Sequence, residues 1–162
     1  MKQKPPHGLW LIAISFFIAF YLAAIPLPGK FQLARPDFVG LFLIFWCLVL
    51  PERFGIAMSF IVGILYDTLI GTQMGTYGLV FSCIAYLVLL LNSRLRMYPI
   101  GQQAMVVFLV LGISHVLVQW LKDWFEGGIT GEMQIWPAFV SAIVWPWIYA
   151  IGRNLMHQFR VQ

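Results

Sequence analysis

The carboxylate of Asp67 is the side chain of this sequence that most needs a chemical explanation. Asp67 is the only charged residue between Gly55 and Ile70. A carboxylate in so apolar a run costs about 2.5 to 3.5 kcal/mol on membrane-insertion scales unless it faces protein or water. We therefore expect Asp67 to have a polar partner or a ligand, and we favour structural pairing because ionisable groups in membranes usually pair.

The neighbours of Asp67 and His115 do not complete a catalytic group. Tyr66-Asp67 is similar to the Tyr-Asp of intramembrane aspartyl proteases, but that chemistry needs a second carboxylate that shares a proton. The interiors of the apolar runs contain no second Asp or Glu. Ser114 and His115 are adjacent, so on a helix they point apart and cannot act as nucleophile and base. We expect no catalytic residues and no enzyme activity, and for His115 we favour packing over proton relay or ligand binding.

Metal and cofactor sites lack support in the sequence as well. The three histidines, at positions 7, 115 and 157, are not spaced as metal ligands, and no glycine loop suited to phosphates is present. Cys47 and Cys83 lie in separate apolar runs and form no Cys-x-x-Cys pair. We therefore expect no metal and no cofactor.

The composition indicates that these residues belong in a bilayer. Of the 162 residues, 61% are hydrophobic and 10% are charged, which is more apolar surface than one soluble domain can bury. The net charge is +4, but the basic residues stand singly at the ends of apolar runs. This pattern favours anionic lipid headgroups over nucleic acid as their partner.

Six apolar runs predict an all-α membrane protein with six transmembrane helices, in a single integral membrane domain over residues 1–162. The predicted spans are 9–25, 37–50, 55–70, 76–91, 102–121 and 136–152. The first run exceeds the apolar core of a signal peptide, about 7 to 15 residues, and we expect it to be retained. The second is the shortest, roughly 20 Å as a helix against about 30 Å of hydrocarbon, so a re-entrant segment is the alternative.

Basic residues are distributed unequally between the two ends of the predicted bundle. One end, which holds both termini, has Lys2, Lys4, Arg53, Arg94, Arg96, Arg153 and Arg160, and the other has Lys30, Arg35 and Lys122. The positive-inside rule then predicts that both termini are cytoplasmic. A re-entrant second run would leave five spans and an external amino terminus, but Lys2 and Lys4 beside the first span favour six.

Depth along the helices brings several polar residues to one level in the outer half. Asp67 and His115 each lie roughly 18 to 20 Å from the cytoplasmic end of their helices, which makes His115 one candidate partner. Arg35 falls within about one helical turn of Asp67 and is the second candidate. His115, Gln119 and Asp123 recur every four residues as one stripe. We predict a polar cluster or shallow cavity, open to the periplasmic side, that contains Arg35, Tyr66, Asp67, Tyr77, His115, Gln119 and Ser141.

Two further features concern packing. Ser59 and Gly63 stand four residues apart, as do Gly71 and Gly75, and this spacing lets helix backbones approach closely in lipid. We predict helix packing at all four positions, within a hairpin of the third and fourth spans. The segment Trp145-Pro146-Trp147 is either a partner-binding face or aromatic packing beside a proline kink.

The order and spacing of these motifs resemble one known family over essentially the whole chain. The motifs are six apolar runs, Arg35-Pro36-Asp37, Gly63-x-x-x-Asp67 followed by Gly71 and Gly75, Trp145-Pro146-Trp147, and a basic tail that ends at Gln162. Together they resemble the MreD family, the small polytopic rod-shape-determining membrane proteins of bacterial cell elongation.

The resemblance implies a non-enzymatic subunit of the bacterial inner membrane that helps to maintain rod shape and lateral peptidoglycan synthesis. It implies MreC as the main partner, with MreB, RodA and a class B penicillin-binding transpeptidase in the same assembly. The family also resembles in fold the six-helix solute-binding subunits of vitamin importers, so a small-solute-binding subunit is the alternative. Under the first interpretation, we expect a helical segment of MreC to enter a groove lined by small residues and aromatics.

Overall fold

The computed structural model describes residues 9–25, 35–52, 54–127 and 135–159. These residues form the helices α1 (Leu9–Ala24), α2 (Phe38–Val49), α3 (Ile56–Ile70), α4 (Thr76–Leu95), α5 (Ile100–Glu126) and α6 (Trp136–Phe159). The described residues contain no strand. The all-helical fold that the sequence predicts is therefore confirmed.

Two of these helices are long and apolar enough to cross a membrane, namely Thr76–Leu95 and the part of α5 from Ile100 to Phe125. Three further helices, α1 to α3, are apolar but shorter. Helix α6 has 24 residues and continues on both sides of Pro146. The structure therefore supports a membrane protein by length and composition, while the number of spans stays a prediction.

Helix α2 lies in the middle of the bundle, where it contacts α1, α4, α5 and α6. Most of its 12 residues are buried, and a helix that is apolar on all sides is expected to be buried on all sides. Gly152 of α6 lies directly against the ring of Phe45, where a Cβ would collide with the ring. Because protein surrounds α2, its short length does not have to match the thickness of the hydrocarbon layer.

Both ends of α2 are satisfied by polar side chains. At the start, Asp37 Oδ1 accepts a hydrogen bond from Gly40 N at 3.0 Å, which is the usual bond of an N-cap residue. At the end, Arg96 donates from Nε and Nη2 to the carbonyl of Leu48 at 3.0 and 2.7 Å. Asn92 donates to the carbonyl one residue earlier at 3.3 Å. Side chains thus replace the water that a helix end inside a membrane lacks.

Helices α3 and α4 form a tightly packed hairpin. A Cβ at Gly63 would lie 2.5 Å from Gly78 Cα and 2.5 Å from the carbonyl oxygen of Tyr77, so the two backbones touch at this position. Ser59, one turn earlier, is fully buried, and its hydroxyl lies 4.0 Å from Cys47 Sγ on α2. The structure therefore places Ser59 and Gly63 in helix contacts.

Candidate binding site

The carboxylate of Asp67 holds the beginning of α4. Asp67 is fully buried. Its Oδ1 accepts hydrogen bonds from Thr72 Oγ1 at 2.7 Å and Tyr77 N at 3.0 Å. Its Oδ2 accepts from Gly75 N at 2.9 Å and Gly78 N at 3.4 Å. Three of these four donors are backbone amides at the start of α4, where negative charge is favoured because the amides there carry partial positive charge.

The sequence folds in this way because the cap position of α4 has no side chain. Gly75 is the N-cap residue, with φ 100°, and no side-chain hydrogen bond caps the helix from there. Asp67, from the preceding helix, supplies the acceptor that a Ser or Asp at the cap would supply. Gly71 ends α3 with φ 76°, and its N–H donates to the Asp67 carbonyl at 2.9 Å. The residue thus closes one helix with its backbone and opens the next with its side chain.

Gly71 and Gly75 do not pack between helices as the four-residue spacing suggested. Both lie in the loop, and a Cβ at either would meet nothing within 4 Å. Both have a positive φ, a conformation that glycine adopts without steric cost. Their function in the structure is therefore to allow the turn, and the helix-packing interpretation of these two positions was wrong.

Neither candidate partner from the sequence pairs with Asp67. Within the described residues, its side-chain hydrogen bonds all come from the loop and α4. Arg35 donates instead to the carbonyl of Leu22 in α1, and His115 forms no bond with Asp67. Arg35 and His115 line the cavity beside this loop, as expected from their depth along the helices. The carboxylate of Asp67, however, is already bonded by backbone amides that lie 8 to 11 residues further along the chain.

A polar cavity of about 400 Å³ lies beside this loop. It is found at the end of the bundle where α1 and α3 end and α2 and α4 begin. Its polar side chains come from four elements and are Arg35, Asp37, Tyr66, Tyr77 and His115. Four residues of the predicted cluster therefore line one cavity.

The other three residues of the predicted cluster lie outside that lining. Asp67 lies in the last turn of α3, and its buried carboxylate binds the loop and the start of α4. Ser141 accepts a hydrogen bond from Asp37 N at 2.8 Å and donates to the carbonyl of Pro137 at 2.6 Å, so it ties the start of α2 to α6. Gln119 donates to Asp123 Oδ1 at 3.0 Å, which keeps these two members of the predicted stripe together on α5.

The aromatic wall of the cavity is built by packing between rings. Tyr66 meets Tyr77 edge to face, with ring centroids 4.8 Å apart, and stacks on Phe20 of α1 at 5.9 Å. Lys122 Nζ lies 6.0 Å from the centroid of the Tyr77 ring, a distance at which cation–π attraction begins. The two tyrosines are therefore held in place before anything binds.

One nitrogen in the wall has no partner. His115 Nε2 is buried and forms no hydrogen bond within the described residues. Buried polar atoms in native proteins are nearly always paired, so such an atom beside a cavity indicates an interaction with water or a ligand. With Arg35 and Asp37, the cavity offers a cation, an anion and an imidazole, which suits an occupant that carries both donors and acceptors.

Asp37 is a residue of the cavity lining that the sequence argument did not place in the cluster. The available signal was its position directly before an apolar run, where Asp is a typical N-cap. Capping holds Asp37 at the start of α2, and the start of α2 forms part of the cavity wall. The cap and the site are therefore built from the same residue.

The segment Trp145-Pro146-Trp147 divides between the inside and the outside. Trp145 is fully buried and packs on Tyr149 with ring centroids 5.9 Å apart. Trp147 is 72% exposed. Because residues two apart on a helix point to different sides, the two tryptophans do not form one partner face, and only Trp147 is available for contacts.

The fold and the cavity define a small all-helical protein with apolar helices suited to a membrane. A family model described as rod shape-determining protein MreD matches residues 6–155. The chain is 29% identical over 153 residues to a protein of Haemophilus influenzae named rod shape-determining protein MreD, and the match covers 94% of each chain. No solved structure matches the chain. The chain belongs to the MreD family, and this membership supports a role in determining rod shape.

Proposed function

We propose that this chain is a non-enzymatic subunit of the cell-elongation machinery that binds MreC through the polar cavity and the groove next to it. The observation that carries the proposal is a preformed cavity with a cation, an anion, two fixed tyrosines and an imidazole nitrogen that has no partner among the described residues. Arg and Tyr are enriched at protein interfaces. A peptide segment supplies both the donors and the acceptors that such a mixed lining needs.

An apolar groove between α1 and α3 continues from the cavity. Its volume is about 760 Å³, and its lining includes Phe16, Phe20, Met58 and Leu65. Leu69 lines both the groove and the polar cavity. A helical segment of MreC fits this arrangement, with its apolar side against the phenylalanines and its polar end in the cavity.

The proposal includes a location and an orientation. The chain is a single domain of the bacterial inner membrane with six spans and both termini in the cytoplasm, so the polar cavity faces the periplasm. MreB, RodA and a class B penicillin-binding transpeptidase are further members of the assembly, and the outcome is support of lateral peptidoglycan synthesis. The excess of Lys and Arg at the opposite end supports this orientation.

Cross-linking to MreC tests the proposed interface. A cysteine at Leu69, where the cavity meets the groove, is compared with a cysteine at Leu90 on α4, which is likewise exposed but lies outside both. The exposed native Cys83 is replaced by Ser in both variants. We expect Leu69→Cys to cross-link to MreC and Leu90→Cys to remain unlinked. Equal cross-linking from both positions would reject the interface, and failure of MreC to co-purify with the unmodified chain would reject the function.

A small-solute-binding subunit similar to those of vitamin importers is the second candidate. The cavity volume of about 400 Å³ lies within the range of small-molecule pockets, about 300 to 1,000 Å³. Under this hypothesis the purified chain retains a small molecule, and His115→Phe releases it while MreC still co-purifies. Under the MreC hypothesis His115→Phe weakens retention of MreC and no solute is found.

A further inference from the structure

A second cavity, of about 320 Å³, lies at the other end of α2. It is lined by the last residues of α2 and α4, the first turn of α5 and the second half of α6, and its polar side chains are Arg96, Gln103, Tyr149 and Arg153. The two cavities are separated by the length of α2, roughly 18 Å. The second one therefore forms no part of the proposed MreC site.

The charged side chains in the described lining of this cavity are both arginines, Arg96 and Arg153. Arg96 uses Nε and Nη2 for the carbonyls at the end of α2, which leaves Nη1 outside those bonds. Arg153 is exposed and forms no hydrogen bond with another residue in the described part of the chain. No acidic side chain lines the cavity among the described residues. Two guanidinium groups without a counterion favour an anion, and their planar geometry suits a phosphate.

Gln103 indicates, independently of the arginines, that a ligand of this cavity should carry a hydrogen-bond donor. It is only 4% exposed, and its Nε2 donates to the carbonyls of Leu95 at 3.0 Å and Tyr98 at 3.2 Å. Because both partners are carbonyl oxygens, these two bonds identify the amide nitrogen and the amide oxygen of Gln103. Its Oε1 is buried without a partner in the described residues, so this wall of the cavity needs a hydrogen-bond donor.

We propose that this cavity binds a phosphoester that carries a hydroxyl group, with the phosphate between Arg96 and Arg153 and the hydroxyl donating to Gln103 Oε1. Phosphatidylglycerol, an anionic lipid whose headgroup has both groups, is the membrane source of this chemistry, and glycerol phosphate is the soluble source. Basic pockets between membrane helices bind anionic headgroups in this way. A volume of about 320 Å³ lies at the small end of ligand pockets, as a single headgroup requires.

The test measures lipid binding to the full chain in a neutral detergent by native mass spectrometry. Phosphatidylglycerol is compared with phosphatidylcholine for the unmodified chain, for Arg153→Gln and for Arg94→Gln. Arg94 is the matched control, since it is an exposed arginine at the same end of the bundle that does not line the cavity. Arg153 makes no bond within the described residues, so its replacement leaves the fold intact.

We expect the unmodified chain to prefer phosphatidylglycerol by at least about tenfold. Arg153→Gln should weaken binding about tenfold, as expected for the loss of one charged hydrogen bond, whereas Arg94→Gln should leave it within about twofold. Arg153→Lys should restore part of the loss. Equal binding of both lipids, or equal losses in the two Gln variants, would overturn the proposal.

Competition with glycerol phosphate distinguishes the two sources. Displacement of the lipid at millimolar concentration would assign the cavity to a soluble phosphoester. Retention of the lipid under the same conditions would assign it to the headgroup of a membrane lipid. Either result supports the proposed chemistry, because both ligands present a phosphate and a hydroxyl to the same side chains.

Discussion

At the scale of the residue, three charged side chains of this protein complete helix ends. Asp67 binds the amides at the start of α4, Asp37 caps α2, and Arg96 binds the carbonyls at its end. Each replaces water at a terminus that would otherwise be unsatisfied in an apolar environment. A buried charge is tolerated when hydrogen bonds surround it, so the fully buried carboxylate of Asp67 is stable where an isolated acid would not be.

Replacement of Asp67 tests this view. Asp67→Ala leaves the amides of Gly75 and Tyr77 without their acceptor, and we expect a loss of about 3 kcal/mol in the free energy of unfolding. Asp67→Asn retains one oxygen and should lose less, about 1 to 2 kcal/mol. Unfolding in mixed micelles, followed by circular dichroism, measures both. Glu52→Gln, at an exposed acid in a turn, is the control and should change nothing; an Ala variant as stable as the control would contradict the assigned role.

Substitution of glycine by alanine separates close packing from helix propensity. At Gly63 the new Cβ would collide with the backbone of Gly78, so we expect Gly63→Ala to destabilise the chain by about 1 to 3 kcal/mol. Gly112 lies within α5 with nothing within 4 Å of a Cβ, and Gly112→Ala should be neutral or stabilise by up to about 1 kcal/mol. Thermal unfolding of the two variants in one detergent compares them. Similar effects at both sites would show that the α3–α4 contact is less close than the structure indicates.

At the scale of the element, the six helices could be predicted because apolar runs broken by Pro and Gly are properties of the sequence itself. The exact end of a helix, such as the end of α5, was harder to predict from the sequence. The predicted span stops at Leu121, whereas the helix continues to Glu126 and ends at Gly127 with φ 71°, because a helix does not have to stop where its apolar run stops. Boundaries of spans and boundaries of helices are different quantities.

The partners of the polar residues could be predicted only in part. The rise per residue of a helix predicted a similar depth in the bundle for several polar residues. The structure places four of them in the lining of one cavity, namely Arg35, Tyr66, Tyr77 and His115. The acceptor role of Asp67 did not follow, because its partners are mostly backbone amides, which every residue has and no sequence pattern reveals. Contacts that depend on how one helix crosses another, such as Arg96 on the end of α2, were equally invisible.

Arg96 provides a test at the level of a whole helix. Its two nitrogens hold the last carbonyls of α2, and α2 contacts α1, α4, α5 and α6. We expect Arg96→Met to lower the free energy of unfolding by about 2 to 3 kcal/mol, and Arg96→Lys by about half as much, because an ammonium cannot reproduce the forked geometry. Chemical unfolding measures the loss. Arg94→Met, at an exposed site nearby, should have little effect, and an equal loss there would show that net charge matters rather than the cap.

At the scale of the whole molecule, a central buried helix connects two cavities of different chemistry. The cavity at the start of α2 has mixed charge and aromatic walls, and the one at its end is purely basic. The same capped helix forms part of both walls. The two ends of the molecule therefore differ in chemistry, in agreement with the two proposals of a protein segment at one end and a phosphoester at the other.

The orientation of the bundle gives the final prediction. The six-span prediction assigns seven of the ten Lys and Arg residues to the same end as both termini, so we expect that end in the cytoplasm. Fusions of alkaline phosphatase, active only outside, and of green fluorescent protein, fluorescent only inside, are compared after Gly127, after Arg96 and at both termini. The phosphatase should be active only after Gly127, and the other three positions should fluoresce. Termini on opposite sides would eliminate six spans and would show that α2 enters and leaves the membrane on one side.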